Sequence, residues 1–222
     1  MTEAALKASI QPAQWPDGAC WRAYLRFLGL FLLYFALVYF GLGSFAVWLG
    51  RSMDLYAAWE TRIPCVPFMV WIYLSLYAIF TLPLLHMSFD QMAALSRQST
   101  VMLLVAGATF LALPGRLGYL PAAYTGIDGS ILAFLDGLSA TTGHNLVPSL
   151  HVAFSALILL SCRDLVSWRL SLIYIVWLVL ICASTVLTHQ HHLLDIATGL
   201  ALAISVRWLT PLDRGDASPT SR

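Results

Sequence analysis

Six stretches of the chain are apolar, with few or no Asp, Glu, Lys or Arg, over lengths near the ~20 residues that carry a helix across a hydrocarbon core. They cover residues 27–50, 63–85, 98–114, 148–162, 170–188 and 191–206, and each predicts a membrane-spanning helix. The fourth and sixth carry ionisable groups at one end only. Residues 115–147 form the one long connection, with Pro121, Gly126, Gly129, Gly137 and Gly143 as breakers and a short helix predicted around 131–138. The pattern divides the chain into an interfacial segment at 1–26, a six-helix domain at 27–210 and a disordered tail at 211–222.

Composition strengthens this picture. Of 222 residues, 59% are hydrophobic and 10% charged, against about 45–50% and about 25% in ordinary soluble domains. The expected fold is therefore all-α: a polytopic membrane protein with six transmembrane helices, surrounded by membrane lipids. A net charge of +1 lacks the strongly basic footprint of nucleic-acid binding, so no nucleic-acid partner is expected.

Charge also orients the chain. Six spans put both termini on one side, with Lys7, Arg22, Arg26, Arg97, Arg163, Arg169, Arg207, Arg214 and Arg222, leaving Arg51, Arg62 and Arg116 on the other. The positive-inside rule then makes the termini cytoplasmic and turns residues 115–147 toward the periplasm, exterior or lumen. The first span is long for a signal-peptide core and no A-x-A-like site follows it, so it reads as a retained anchor. Trp15, Trp21 and Tyr24 before it suit an interfacial belt. Cys20, Cys65, Cys162 and Cys182 have no pairwise motif and read as packing residues.

Two polar clusters interrupt the apolar pattern on the outer side. In T-H-Q-H-H-L-L-D, residues 188–195, His191 and Asp195 are four apart, and Thr188 and Ser184 extend the series backward at spacings of three and four. An unbroken helix would line all four along one face. A carboxylate one turn from a histidine can accept its N–H, fix the tautomer and raise the basicity of the other nitrogen, which prepares a nucleophile or base. An aspartate in a span is costly unless paired or functional. The second cluster is N-L-V-P-S-L-H, residues 145–151, where Pro148 suits a helix start and Ser149 can cap it. A helix N-terminus beside a serine and a histidine suits a phosphate. Arg116 follows the third span on the same side. His144 and His192 each read alone as interfacial residues, and His86 as a structural one; H-Q-H-H lacks an H-E-x-x-H metal pattern.

Together, Pro148-Ser149-Leu150-His151 and Ser184-Thr185-x5-His191-x3-Asp195 resemble the second and third motifs of the type 2 phosphatidic acid phosphatase superfamily. The resemblance covers residues 110–200 approximately. It implies a six-helix membrane fold with the active site at the outer helix ends. It also implies roles: His191 attacks phosphorus to form a phosphohistidine, Asp195 orients it, His151 protonates the departing oxygen and Ser149 binds the phosphate. No cofactor or metal is implied, since the histidine is the nucleophile. Thr185 stands where the third motif has arginine, Leu150 where the second often has glycine, and the first motif is absent as such. Arg116 and His189 are the candidates for the missing positive charge.

The expected activity is metal-independent hydrolysis of a lipid phosphomonoester or diphosphate. The Pro-Ser-Leu-His form and the missing arginine also resemble the branch with inositol phosphorylceramide synthases, in which a lipid or alcohol replaces water as acceptor. A carrier that binds lipid phosphate without turnover is a third alternative.

Overall fold

The computed structural model describes residues 18–48, 50–119, 124–142 and 145–211. Most of the interfacial segment, nearly all of the tail, Pro121, Gly143 and His144 lie outside the described residues. Among the described residues the chain is all-helical, apart from an isolated parallel bridge between Met53 and Gly115.

The first predicted span begins earlier than expected. Helix α1 (Gly18–Phe35) runs into a π-helical segment (Ala36–Leu42) and then α2 (Gly43–Trp48). Charge ended the apolar window at residue 27, but Arg22 and Arg26 do not end the helix: both are exposed and long enough to reach solvent from its surface. The Asn145 side-chain amide donates to the Tyr39 carbonyl within the π-helical segment.

The second span is the main correction. Residues 63–85 are not one helix; they contain α3 (Met69–Leu74), α4 (Leu76–Ile79) and α5 (Leu82–His86). Pro64 and Pro67 keep the first turn from forming, and Pro83 has no N–H to offer the Ile79 carbonyl. At the breaks the backbone tightens to i→i−3 bonds, Ala78 N–H to Ser75 at 3.0 Å and Leu84 N–H to Thr81 at 3.2 Å. His86 donates to or accepts from Tyr174 at 2.7 Å, the structural role expected of it.

Helix α6 (Phe89–Ala112) starts nine residues before the predicted 98 because Ser88 and Gln91 form a reciprocal capping box. The long connection contains α7 (Gly126–Thr142), much longer than the helix predicted there; Gly129 and Gly137 are internal to it and do not break it. Helices α8 (Leu150–Arg163), α9 (Trp168–Leu187) and α10 (Leu193–Leu209) follow the last three apolar runs closely.

Helix α8 is the centre of the packing and touches α4, α5, α6, α9 and α10. Ala153, Ala156, Leu157, Ile158 and Leu159 have no exposed surface. Gly199 lets α10 approach: a Cβ there would lie 2.7 Å from the Ser149 carbonyl and 3.3 Å from the Val152 Cβ. Among the described residues two helices, α6 and α9, are long and apolar enough to cross a membrane. Only a third of the most apolar stretch of α9 is buried, with Leu172, Ile173, Val176 and Val179 facing outward.

Candidate functional site

Helices α9 and α10 do not form one continuous helix, so the expected ladder from Ser184 to Asp195 is broken. The chain turns at residues 188–192, where the Thr185 carbonyl accepts from both Gln190 N–H (3.0 Å) and His191 N–H (3.1 Å). His189 takes a left-handed conformation with φ of 59° to make this turn. Thr185, in the position of the motif arginine, thus closes the turn that presents His191.

The turn still brings His191 to Asp195. Their Nδ1 and Oδ2 atoms are 3.1 Å apart, and both side chains are buried. Oδ2 also accepts from the His192 backbone N–H at 2.9 Å, so the carboxylate caps the first turn of α10, where the helix dipole favours a negative charge. With Nδ1 held by Asp195, Nε2 at the opposite edge of the His191 ring is the nitrogen left for chemistry. The His151 ring lies 5.7 Å away between centroids, tilted by 60°.

His151 has a partner the sequence did not suggest. The Tyr73 hydroxyl on α3 lies 2.6 Å from its Nε2, and the two rings pack at 4.6 Å. The backbone joins the two motifs as well, because Ser149 N–H donates to the Asp195 carbonyl at 3.0 Å. The register between α8 and α10 therefore fixes His151 against His191.

The three residues expected to hold phosphate are placed differently. Ser149 is fully buried as the N-cap of α8, its hydroxyl accepting from Val152 N–H at 3.4 Å. Arg116 is half-exposed and forms a two-point ion pair with Asp54 beside the Met53–Gly115 bridge. Its guanidinium holds the Asp54 carboxyl below the usual carboxylate range. His189 reaches the Ile63 carbonyl at 2.9 Å through Nε2.

His189 also begins a stack of four rings that was invisible in the sequence. Tyr119 stacks on His189 at 4.0 Å and on His192 at 4.4 Å, and His192 stacks on Tyr56 at 4.3 Å. The two histidines on either side of His191 in the turn are thus clamped by Tyr119 and Tyr56. Gly118 permits this, since a Cβ there would collide with the Tyr56 ring, and its N–H donates to His192 Nε2 at 3.2 Å. Burial and the nearby Glu60 and Asp195 carboxylates push the Tyr119 phenol up, keeping it a neutral donor to the His191 carbonyl at 3.3 Å.

Glu60 was also missed. It is buried at 4% exposure, accepts from Ala57 N–H at 2.9 Å and from Leu193 N–H at 2.8 Å, and stands 3.5 Å from His192 Nδ1. The signal in the sequence was an acid, one of two in the loop with Asp54, in W-E-T-R-I-P. Gln190 donates to Asp136 on α7 at 2.8 Å, tying the turn to the long connection.

Comparison with known proteins finds no matching family model, no matching curated protein and no matching solved structure.

Proposed function

We propose that this chain is a membrane-embedded lipid phosphate phosphatase of the type 2 phosphatidic acid phosphatase kind, with His191 as nucleophile. The observation that carries this reading is the buried His191–Asp195 pair at 3.1 Å with the His151 ring 5.7 Å away. Structural histidines are commonly satisfied singly; His151 on α8, His191 in the turn and Asp195 on α10 converge as an acid, a nucleophile and its orienter would.

In the proposed reaction the His191 Nε2 lone pair attacks phosphorus as the bond to the lipid oxygen breaks. That oxygen takes a proton from His151. Water then attacks the phosphohistidine, gives its proton to the now neutral His151 and releases phosphate with His191 restored. His151 lies in the first turn of α8, whose dipole suits the phosphate charge.

The membrane setting is supported by the two helices long enough to cross and by the outward apolar face of α9, which would be a large unpartnered patch in water. We read the remaining apolar helices as completing six crossings, with cytoplasmic termini and the site near the opposite face, open to a phosphorylated amphiphile.

The test is phosphate release from a panel of lipid phosphates by wild type and His191→Ala, in detergent with EDTA, with and without diacylglycerol, ceramide or inositol lipid. Release without acceptor, abolished by the substitution, is expected. Turnover only with an acceptor would make the protein a phosphotransferase, and binding without turnover would make it a carrier.

A further inference from the structure

A cavity of about 310 Å³ opens between α1, α4 and α8 and ends at His151. Its walls are almost entirely hydrocarbon: Phe31 and Phe35 from α1, Leu76 and Phe80 from the second helical region, and Phe154 from α8. Phe31 packs at 4.8 Å on Phe80 and at 4.6 Å edge-on to Phe154, which lies about one helical turn along α8 from His151. Leu150, in the position where the resembled motif often has glycine, also lines it. The π-helical segment begins at Ala36, on the cavity's edge, where a small side chain leaves it open.

The position of this cavity relative to the two histidines is informative. In an in-line displacement the nucleophile and the leaving oxygen stand on opposite sides of phosphorus. Whatever is attached to the leaving oxygen must therefore extend past the acid and not past the nucleophile. His151 is the acid of the proposed reaction, and the space beside it is apolar.

We propose that this cavity holds the hydrocarbon chain of the leaving alcohol, so that the enzyme acts on phosphate esters of a long-chain alcohol and seats one chain beside His151. This rests on the phosphatase reading above. The volume lies at the lower end of the range of about 300–1,000 Å³ for small-molecule sites, which suits one chain better than two. Tyr77, at the rim, is the other polar side chain in the lining besides His151, so no polar headgroup is served further in.

The experiment uses the full chain in nanodiscs with alkyl phosphates from butyl to hexadecyl. Wild-type kcat/KM should climb with chain length, by up to roughly fourfold per buried methylene, and then level off when the cavity is full. Ala36→Trp, which fills the cavity, should flatten that climb; Phe35→Ala, which enlarges it, should move the plateau to longer chains. A hexadecyl phosphate carrying a diazirine near its methyl end should crosslink to residues 31–36, 76–80 or 150–154. Turnover whose chain-length dependence neither substitution alters, or with crosslinks only elsewhere, overturns the proposal and leaves the phosphatase reading intact. Crosslinks at these residues without any turnover overturn the phosphatase reading while the cavity stands as a lipid-chain site.

Discussion

Glu60 accepts a hydrogen bond from the Leu193 backbone N–H at 2.8 Å across 133 residues of chain, joining the loop before α3 to the first turn of the helix that carries Asp195. Its other oxygen holds Ala57 N–H. On the proposed reaction Glu60 would be a positioning residue for the His191–Asp195 pair, acting through the start of α10. Glu60→Ala should lower kcat by up to about 10²-fold, the cost of a small misplacement of reacting groups. Glu60→Gln retains an acceptor for one of the two N–H groups and should recover much of that loss. Equal kcat for both variants and wild type, at unchanged thermal stability, would remove Glu60 from this role.

Asp195 is expected to matter through the tautomer it imposes. Asp195→Asn can keep a hydrogen bond to His191 but can also present an N–H to Nδ1, which would move the imidazole proton to Nε2 and block attack. We expect kcat to fall on the order of 10⁴-fold, as carboxylate-to-amide changes do in comparable histidine-orienting pairs. A phosphoenzyme trapped from wild type by an alkaline quench, in which phosphohistidine persists, should be absent from the variant. An Asn variant with near wild-type turnover would contradict the orientation of the pair.

How much of this was legible in the sequence depends on the range of the interactions involved. The boundaries of α8 and α9 lie within two residues of the apolar runs, because a continuous apolar segment and its helix end at the same polar residues. His191 and Asp195 meet as their spacing predicted, although through a turn and not along a helix. That turn was unreadable: residues 188–192 contain no glycine or proline, and His189 adopts its left-handed conformation while held by Ile63 and Tyr119. Tyr73, Tyr119 and Glu60 were missed because their roles come from contacts across the fold. The capping box at Ser88 and Gln91 was local and readable, but the charges at Asp90 and Arg97 drew attention away from the true start of α6.

Tyr73 supplies a test of the acid. Activity should be bell-shaped in pH, since His191 must be neutral to attack while His151 must carry a proton to donate, and the two limits belong to the coupled pair. Tyr73→Phe removes the hydroxyl 2.6 Å from His151 Nε2 and leaves the ring packing. The variant should lower kcat with little change in KM and should move one limb of the bell. A uniform loss with an unmoved profile would mean that the hydroxyl only supports the fold.

Arg116 offers the opposite expectation. It is exposed and engaged with Asp54. Because Arg116 lowers the Asp54 pKa on folding, the pair stabilises the protein above the unfolded-state carboxylate pKa, and this is lost as pH falls through the lower folded value. Arg116→Ala should therefore leave kcat/KM for a lipid phosphate near wild type at neutral pH, and should weaken the acid dependence of stability. A large rise in KM would instead show that Arg116 leaves Asp54 and turns to the phosphate when substrate binds.

The approach of α8 and α10 in the site rests on a missing side chain. A Cβ on Gly199 would sit 2.7 Å from the Ser149 carbonyl, a backbone atom that cannot swing aside, so Gly199→Ala must push the two helices apart. The Ser149 N–H to Asp195 carbonyl bond at 3.0 Å would lengthen first, and with it the separation of His151 and His191. Overpacking of this kind costs about 1–3 kcal/mol, and the variant should unfold at lower temperature and turn over more slowly. Gly199→Ser, with a slightly larger side chain, should be no better than alanine. If Gly199→Ala were as active and as stable as wild type, the helices would have to be farther apart than the structure puts them, and the register joining the two motifs would have to be redrawn.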